Sequence, residues 1–183
     1  LDIVIDLLGS IFLFFCLIAL IVAIKRFSDV PYIPSERSFK RLIEYLDIKK
    51  GDRVLDIGSC YGKIRVYFSK ICPNAQFVGI EKNFFLVLYS NLMKTILNRK
   101  NLQFIHKDIF ESDISKYNKI YMYLTPSFID EVISKKYPNI KKDCTLVSFH
   151  FPMGYKFSDS NNITEYLVEY GCKKEKLFKY IKE

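Results

Sequence analysis

Residues 7–24 read LLGSIFLFFCLIALIVAI, an unbroken run without a charge. As a helix rising 1.5 Å per residue it would span roughly 27 Å, close to the thickness of a bilayer's hydrocarbon core. Asp2 and Asp6 precede the run, and Lys25 and Arg26 follow it. The pattern predicts one N-terminal transmembrane helix whose basic side stays cytoplasmic. A cleaved signal peptide would need a basic n-region, a shorter apolar core and a small-residue cleavage site, and none is visible. Residues 1–26 are therefore expected to be a single-pass anchor, with the rest of the chain on the cytoplasmic side.

Beyond the anchor the apolar period changes. Val30-Pro31-Tyr32-Ile33-Pro34-Ser35 is a stiff connector, because each proline pushes its predecessor to extended geometry. Ser35 suits an N-cap, and Phe39, Leu42, Ile43 and Leu46 fall at helical spacing, predicting a helix over 36–47. The chain then alternates. Strands are expected over 53–57, 76–81, 102–106, 119–124 and 145–151, with helices over 61–71, 84–97 and 127–136. Residues 163–170 and 175–181 flank Gly171-Cys172 and read as an antiparallel hairpin. Strands alternating with helices imply an α/β fold, a parallel sheet covered by helices on both faces. The closing hairpin departs from a plain doubly wound order. Residues 27–50 are expected to form a linker and leading helix, and 51–183 one domain.

Composition sharpens this picture. Of 183 residues half are apolar and about a quarter charged, which excludes a disordered chain. All 28 basic residues but only 18 of the 20 acidic ones lie beyond residue 24, a formal +10 against +8 for the whole chain. That charge reads either as a solvated lysine-rich surface or as attraction to an anionic leaflet. No run of basic residues exceeds two, so nucleic acid is not expected as a partner. The cysteines, at 16, 60, 72, 144 and 172, lack paired spacing and read as thiols in a reducing compartment. With two histidines, His106 and His150, and no ligand spacing, no metal is expected.

The chemistry concentrates at strand ends. Val54-Leu55-Asp56-Ile57-Gly58-Ser59-Cys60-Tyr61-Gly62 is a strand ending in an acid, then a glycine loop leading into a helix. A dinucleotide fingerprint would need glycine at 58, 60 and 63, but 60 and 63 are Cys and Lys. A P-loop fails because Ile64 follows Gly62-Lys63. A nucleoside ligand without pyrophosphate is the third option. Asp56 would face a cationic amine, and glycine would let the backbone approach closely. Glu81, ending the second strand, can accept hydrogen bonds from ribose hydroxyls. Asp108, after the third strand, can hold an adenine amino group while Ile109 packs on the ring.

This constellation resembles the class I S-adenosylmethionine methyltransferases, over roughly residues 31–182. The resemblance implies a Rossmann-like seven-stranded sheet with a reversed last strand and S-adenosyl-L-methionine as cofactor. Its implied binding set is Asp56, Gly58, Ser59, Gly62, Glu81, Lys82, Asp108 and Ile109. Cys60 stands where such families usually have glycine. If that position requires positive φ, it carries strain of order 1 kcal/mol or more. A narrower resemblance rests on the order anchor, Pro31-Tyr32-Ile33-Pro34-Ser35, helix, Asp56 loop, Glu81-Lys82-Asn83-Phe84 and Tyr123-Leu124-Thr125-Pro126. It is similar to the membrane-anchored lysine methyltransferases that modify the ATP synthase c subunit and the adenine nucleotide translocase, with their prokaryotic relatives. That likeness places Tyr32, Pro34 and Ser35 in the active site. Tyr123 and Thr125 end the fourth strand, where the methyl group would point, and His150 is a further lining candidate. The implied partners are a lysine on a membrane protein and the bilayer. The alternatives are a small-molecule or lipid methyltransferase and a degenerate fold kept as a membrane scaffold.

Overall fold

The computed structural model of the protein describes residues 7–18, 36–154, 163–170 and 173–182. The chain divides into two compact units, Leu1–Ile33 and Pro34–Glu183. In the first unit, residues 7–18 are helical and their large apolar side chains are exposed. Among the described residues no helix is long and apolar enough to cross a membrane. The expected span continues through residues 19–26, which lie outside the described residues.

The second unit is built on one seven-stranded sheet in the order β3-β2-β1-β4-β5-β7-β6. The strands are β1 Arg53–Ile57, β2 Gln76–Glu81, β3 Leu102–His106, β4 Lys119–Met122, β5 Thr145–Phe149, β6 Ile163–Tyr170 and β7 Lys173–Ile181. β1 to β5 pair in parallel, whereas β7 runs antiparallel to both β5 and β6. The order reverses between β1 and β4, which puts a crevice at the carboxyl ends of the central strands. Helices α1 Glu36–Leu46, α2 Lys63–Ile71, α3 Phe84–Ile96 and α4 Pro126–Lys136 cover the two faces.

Two apolar cores lie on opposite sides of the sheet. One joins Leu55, Ile57, Val78, Ile80 and Met122 to Ile129, Val132 and Ile133 of α4. The other joins Val54, Phe77, Phe104 and Tyr121 to Phe39, Leu42 and Leu46 of α1, Phe68 of α2 and Val87 of α3. Central strands are buried on both faces, so β1 and β5 are near-continuous apolar runs. Tyr45 of α1 stacks on Tyr166 of β6 with ring centroids 3.9 Å apart.

Several boundaries fall short of their expected ends, each for a local reason. α1 stops at Leu46 because Asp47 turns to φ 49, the left-handed conformation of a helix C-terminus. α2 starts at Lys63, not Tyr61, because Cys60 and Gly62 are both left-handed. β5 ends at Phe149 because His150 has φ 73. β4 ends at Met122, its last residue paired to β1 and β5, and Leu124 then turns in over the glycine loop.

Candidate active site

The site is built where β1 ends. Gly58 N–H and Ser59 N–H both donate to the Ile80 carbonyl at 3.0 Å, tying the loop to β2. Gly62 N–H donates to the Ser59 carbonyl at 2.9 Å and closes the turn. Gly58 and Gly62 take φ 75 and 69. A Cβ on Gly58 would sit 2.6 Å from Leu124 Cδ2, and one on Gly62 would run into the Phe104 ring. Both positions therefore need glycine for conformation and for space. Cys60, between them, has φ 47. The strain expected of a side chain there is present.

Glu81 organises the rim. Its two carboxylate oxygens accept from Cys60 N–H and from Asn83 N–H, each at 2.9 Å. A carboxylate has about four acceptor sites, so capacity remains on each oxygen for a vicinal diol. Asn83 also caps α3, accepting from Phe85 N–H at 3.0 Å and Leu86 N–H at 3.4 Å. Ser90 of α3 donates to the Cys60 carbonyl at 3.2 Å. The loop, the carboxylate and the helix form one hydrogen-bonded set.

Below the loop lies a buried ion pair. Arg65 Nη1 of α2 meets Asp56 Oδ2 at 2.5 Å, and Arg65 Nη2 donates to the Ser59 carbonyl at 2.8 Å. Both side chains are almost fully buried. Burial pushes the Asp56 carboxyl up, to about 7, against the opposing pull of Arg65. Burial pulls the Arg65 guanidinium down from its ordinary value, while Asp56 opposes that shift. The guanidinium passes over Phe104 with its carbon 5.5 Å from the ring centroid. Gly79 makes the passage possible: a Cβ there would lie 3.0 Å from Arg65 Nη1 and 2.8 Å from Ser59 Cβ. Asp56 Oδ1 and Ser59 Oγ are buried without a hydrogen-bond partner among the described residues.

At the outer edge, Asp108 accepts from Phe110 N–H at 2.9 Å and pairs with Lys82 Nζ at 3.1 Å. The first of these contacts, then the second, holds its carboxyl below the usual range. Lys82 therefore already occupies an oxygen of Asp108. Ile109 is 5% exposed and belongs to the core cluster, so its side chain is a wall and not an open platform. Tyr123 packs edge-on against Phe149, centroids 5.1 Å apart. Thr125 starts α4 without a side-chain capping bond and is exposed. His150 is exposed against Phe151. Tyr32, Pro34 and Ser35 lie outside the described residues. Sequence reasoning does not reach Arg65, Gly79 or Leu124. The available signal was an arginine amid the apolar residues of α2 and a glycine inside a buried strand.

Residues 56–160 match the family described as the ANTKMT methyltransferase domain. The chain belongs to that family. The matched domain is thus of the class I methyltransferase kind, whose methyl donor is S-adenosylmethionine. The residues fit that group. An orphaned carboxylate oxygen and hydroxyl lie beneath a glycine turn, Glu81 keeps acceptor capacity, and all stand at the carboxyl edge of the central strands. A curated relative, ribosomal RNA small subunit methyltransferase A of Wigglesworthia glossinidia brevipalpis, is 29% identical over 86 residues. The match covers 47% of this chain and 31% of that protein, so the chain spans about a third of its length. An RNA methyltransferase from Salinibacter ruber, solved with S-adenosyl-L-homocysteine, superposes with a TM-score of 0.71 at 22% identity, covering 82% of this chain and 94% of that one. A SAM-dependent methyltransferase from Aquifex aeolicus gives 0.62 at 19% identity, covering 88% and 98%. These two likenesses concern the fold of this family member.

Proposed function

We propose that this methyltransferase is anchored in a membrane by residues 1–26, faces the cytoplasm, and methylates a lysine side chain of a membrane or membrane-associated protein. The match of residues 56–160 to the ANTKMT methyltransferase domain carries the reading. The uncharged run 7–24, the basic pair Lys25-Arg26 and the Pro-Tyr-x-Pro-Ser element support it.

S-adenosylmethionine supplies an electrophilic methyl group on a sulfonium when bound. The protein's part is alignment and exclusion of water. Asp56 and Ser59 present acceptors to a cationic amine, and Glu81 presents one to a diol. The lysine acceptor starts near pKa 10.4 and must lose a proton before it can attack. An apolar lining lowers that value, and a hydroxyl orients the neutral amine. We assign that task to Tyr123 and Thr125, just past β4, with Tyr32 and Ser35 as partners. The proton leaves to water.

Titration calorimetry of S-adenosylmethionine into the full chain in detergent, with Glu81→Ala alongside, tests the cofactor. Binding that weakens at least about tenfold in the variant is expected. No binding by either protein would favour the scaffold reading. Labelled methyl groups should then appear on lysines of membrane proteins, and Tyr32→Phe and Ser35→Ala should lower turnover while sparing cofactor affinity. Label in RNA, the substrate named for two of the similar proteins, would overturn the lysine assignment. A lipid acceptor is the second reading, favoured by the exposed apolar face of α3. Label extracted into organic solvent would establish it.

A further inference from the structure

Helix α3 is apolar where it meets the sheet and again along an outward arc, with Asn91 and Lys94 on one flank between them. Leu86 and Val87 point into the sheet, and Ser90 is buried with them. On the outer side Phe84, Phe85, Leu88, Leu92 and Ile96 are 50–64% exposed. At 100° per residue these five fall within an arc of roughly 120°, interrupted only by Thr95. Soluble surface helices place polar residues there, and an outward apolar arc of this width is one that something covers. The end of the helix is basic, while its start mixes Lys82 and Lys107 with Glu81 and Asp108. Lys82 and Lys107 stand beside its start, where Lys107 N–H donates to the Glu81 carbonyl at 3.1 Å. Arg99 and Lys100 follow its end, where Arg99 N–H donates to the Lys94 carbonyl at 3.0 Å. From 82 to 107 the chain has five basic residues and no acidic one. Asp108 pairs with Lys82, but no carboxylate interrupts the face itself.

We propose that α3 is a second membrane contact, lying in the headgroup region of an anionic leaflet with its apolar arc immersed and its terminal lysines and arginine against lipid phosphates. Charge complementarity selects this occupant. A second copy of the chain that laid its own Lys94, Arg99 and Lys100 against these would be repelled. Five half-exposed side chains also offer on the order of 500 Å², short of the roughly 800 Å² each partner brings to a standard interface. Shallow immersion needs no matching surface and gains from every basic residue near the leaflet. The α3 start is also the Glu81 rim, so docking there sets the nucleoside edge of the site beside the lipid surface. The inference stands on α3 alone and adds a contact to the anchor proposed above.

The chain has no tryptophan, so a single introduced indole reports its own surroundings. Leu92→Trp on α3 and Ser134→Trp, exposed on α4 across the sheet, are compared in the full chain. Each is reconstituted in phosphatidylcholine vesicles containing phosphatidylserine, with and without acyl-brominated lipid. The indole at 92 should lose at least about half its emission to bromine, and that at 134 very little. High salt should weaken the effect, and Leu88→Glu with Ile96→Glu should abolish it. Equal quenching at both positions overturns the proposal. So does a blue-shifted indole at 92 that bromine leaves untouched, since protein (a second copy or the chain's own apolar segment) then covers the face. Flotation on a density gradient separates the two readings. Flotation without quenching at 92 sinks the docking and keeps the anchor; quenching on added vesicles without stable flotation does the reverse.

Discussion

One residue in the glycine loop and one beneath it sit in costly surroundings. Cys60 holds φ 47 while its N–H serves Glu81, so the position contributes through its backbone and its side chain is a conformational burden. Cys60→Gly keeps the hydrogen bond and relieves that burden. The variant should be more stable by about 1 kcal/mol, which for a chain of this size raises Tm by roughly 2–4 °C in a scanning calorimeter. Asp56 is strained differently. Its folded carboxyl titrates at about 7 against an ordinary 3.8, with Arg65 and Glu81 as the charges facing it. Between those values the folded state holds the proton and the unfolded chain does not. Stability should therefore fall as pH rises from about 4 to about 7 and level off above. Asp56→Asn should flatten that part of a denaturation-versus-pH curve. Removing one partner leaves the other buried without its counter-charge: Arg65→Met should cost about 3 kcal/mol, part of which the Asp56→Asn background returns. An unchanged denaturation midpoint in Arg65→Met would show the pair to be incidental.

At the scale of elements, α3 depends on Asn83. Its side chain takes two of the helix's four orphan donors, and its backbone N–H holds one oxygen of Glu81. Asn83→Ala should cost about 1 kcal/mol, read as a shift in the urea midpoint at constant slope. Much of this architecture is legible in the pattern of apolar positions. Every strand and α-helix of the second unit lies near its expected place, because strands buried on both faces are apolar runs and helices have their own period, whereas the short 3-10 helices Ile109–Glu111 and Tyr137–Asn139 have no such signature. Ends were less legible. They depend on single left-handed residues, Asp47, Cys60 and His150, and on Leu124 folding over Gly58, none of which has a periodic signature. The rim carboxylates were visible because they terminate strands. Arg65 was not, because its partner Asp56 and the opening at Gly79 come together only when three elements pack.

For the whole molecule the decisive quantity is where the methyltransferase domain meets its acceptor. An anchor converts a three-dimensional search into one along a surface. Tethered partners meet at an effective concentration that reaches millimolar for short connections. On the anchor reading proposed above, a connector between residue 24 and α1 that is short in sequence and contains two prolines would keep the domain near the bilayer. If the anchor reading holds, enzyme and a membrane-embedded lysine acceptor in the same vesicle should react at least about tenfold faster than in separate vesicles mixed at equal total concentration. The comparison is made at one salt concentration, because a +10 charge beyond residue 24 would itself be attracted to anionic lipid and would otherwise favour both arrangements unequally. A soluble peptide bearing the same lysine should show no such advantage. Equal rates in shared and separate vesicles would mean that the apolar run contributes nothing to finding the substrate, and the acceptor would then be sought among soluble molecules.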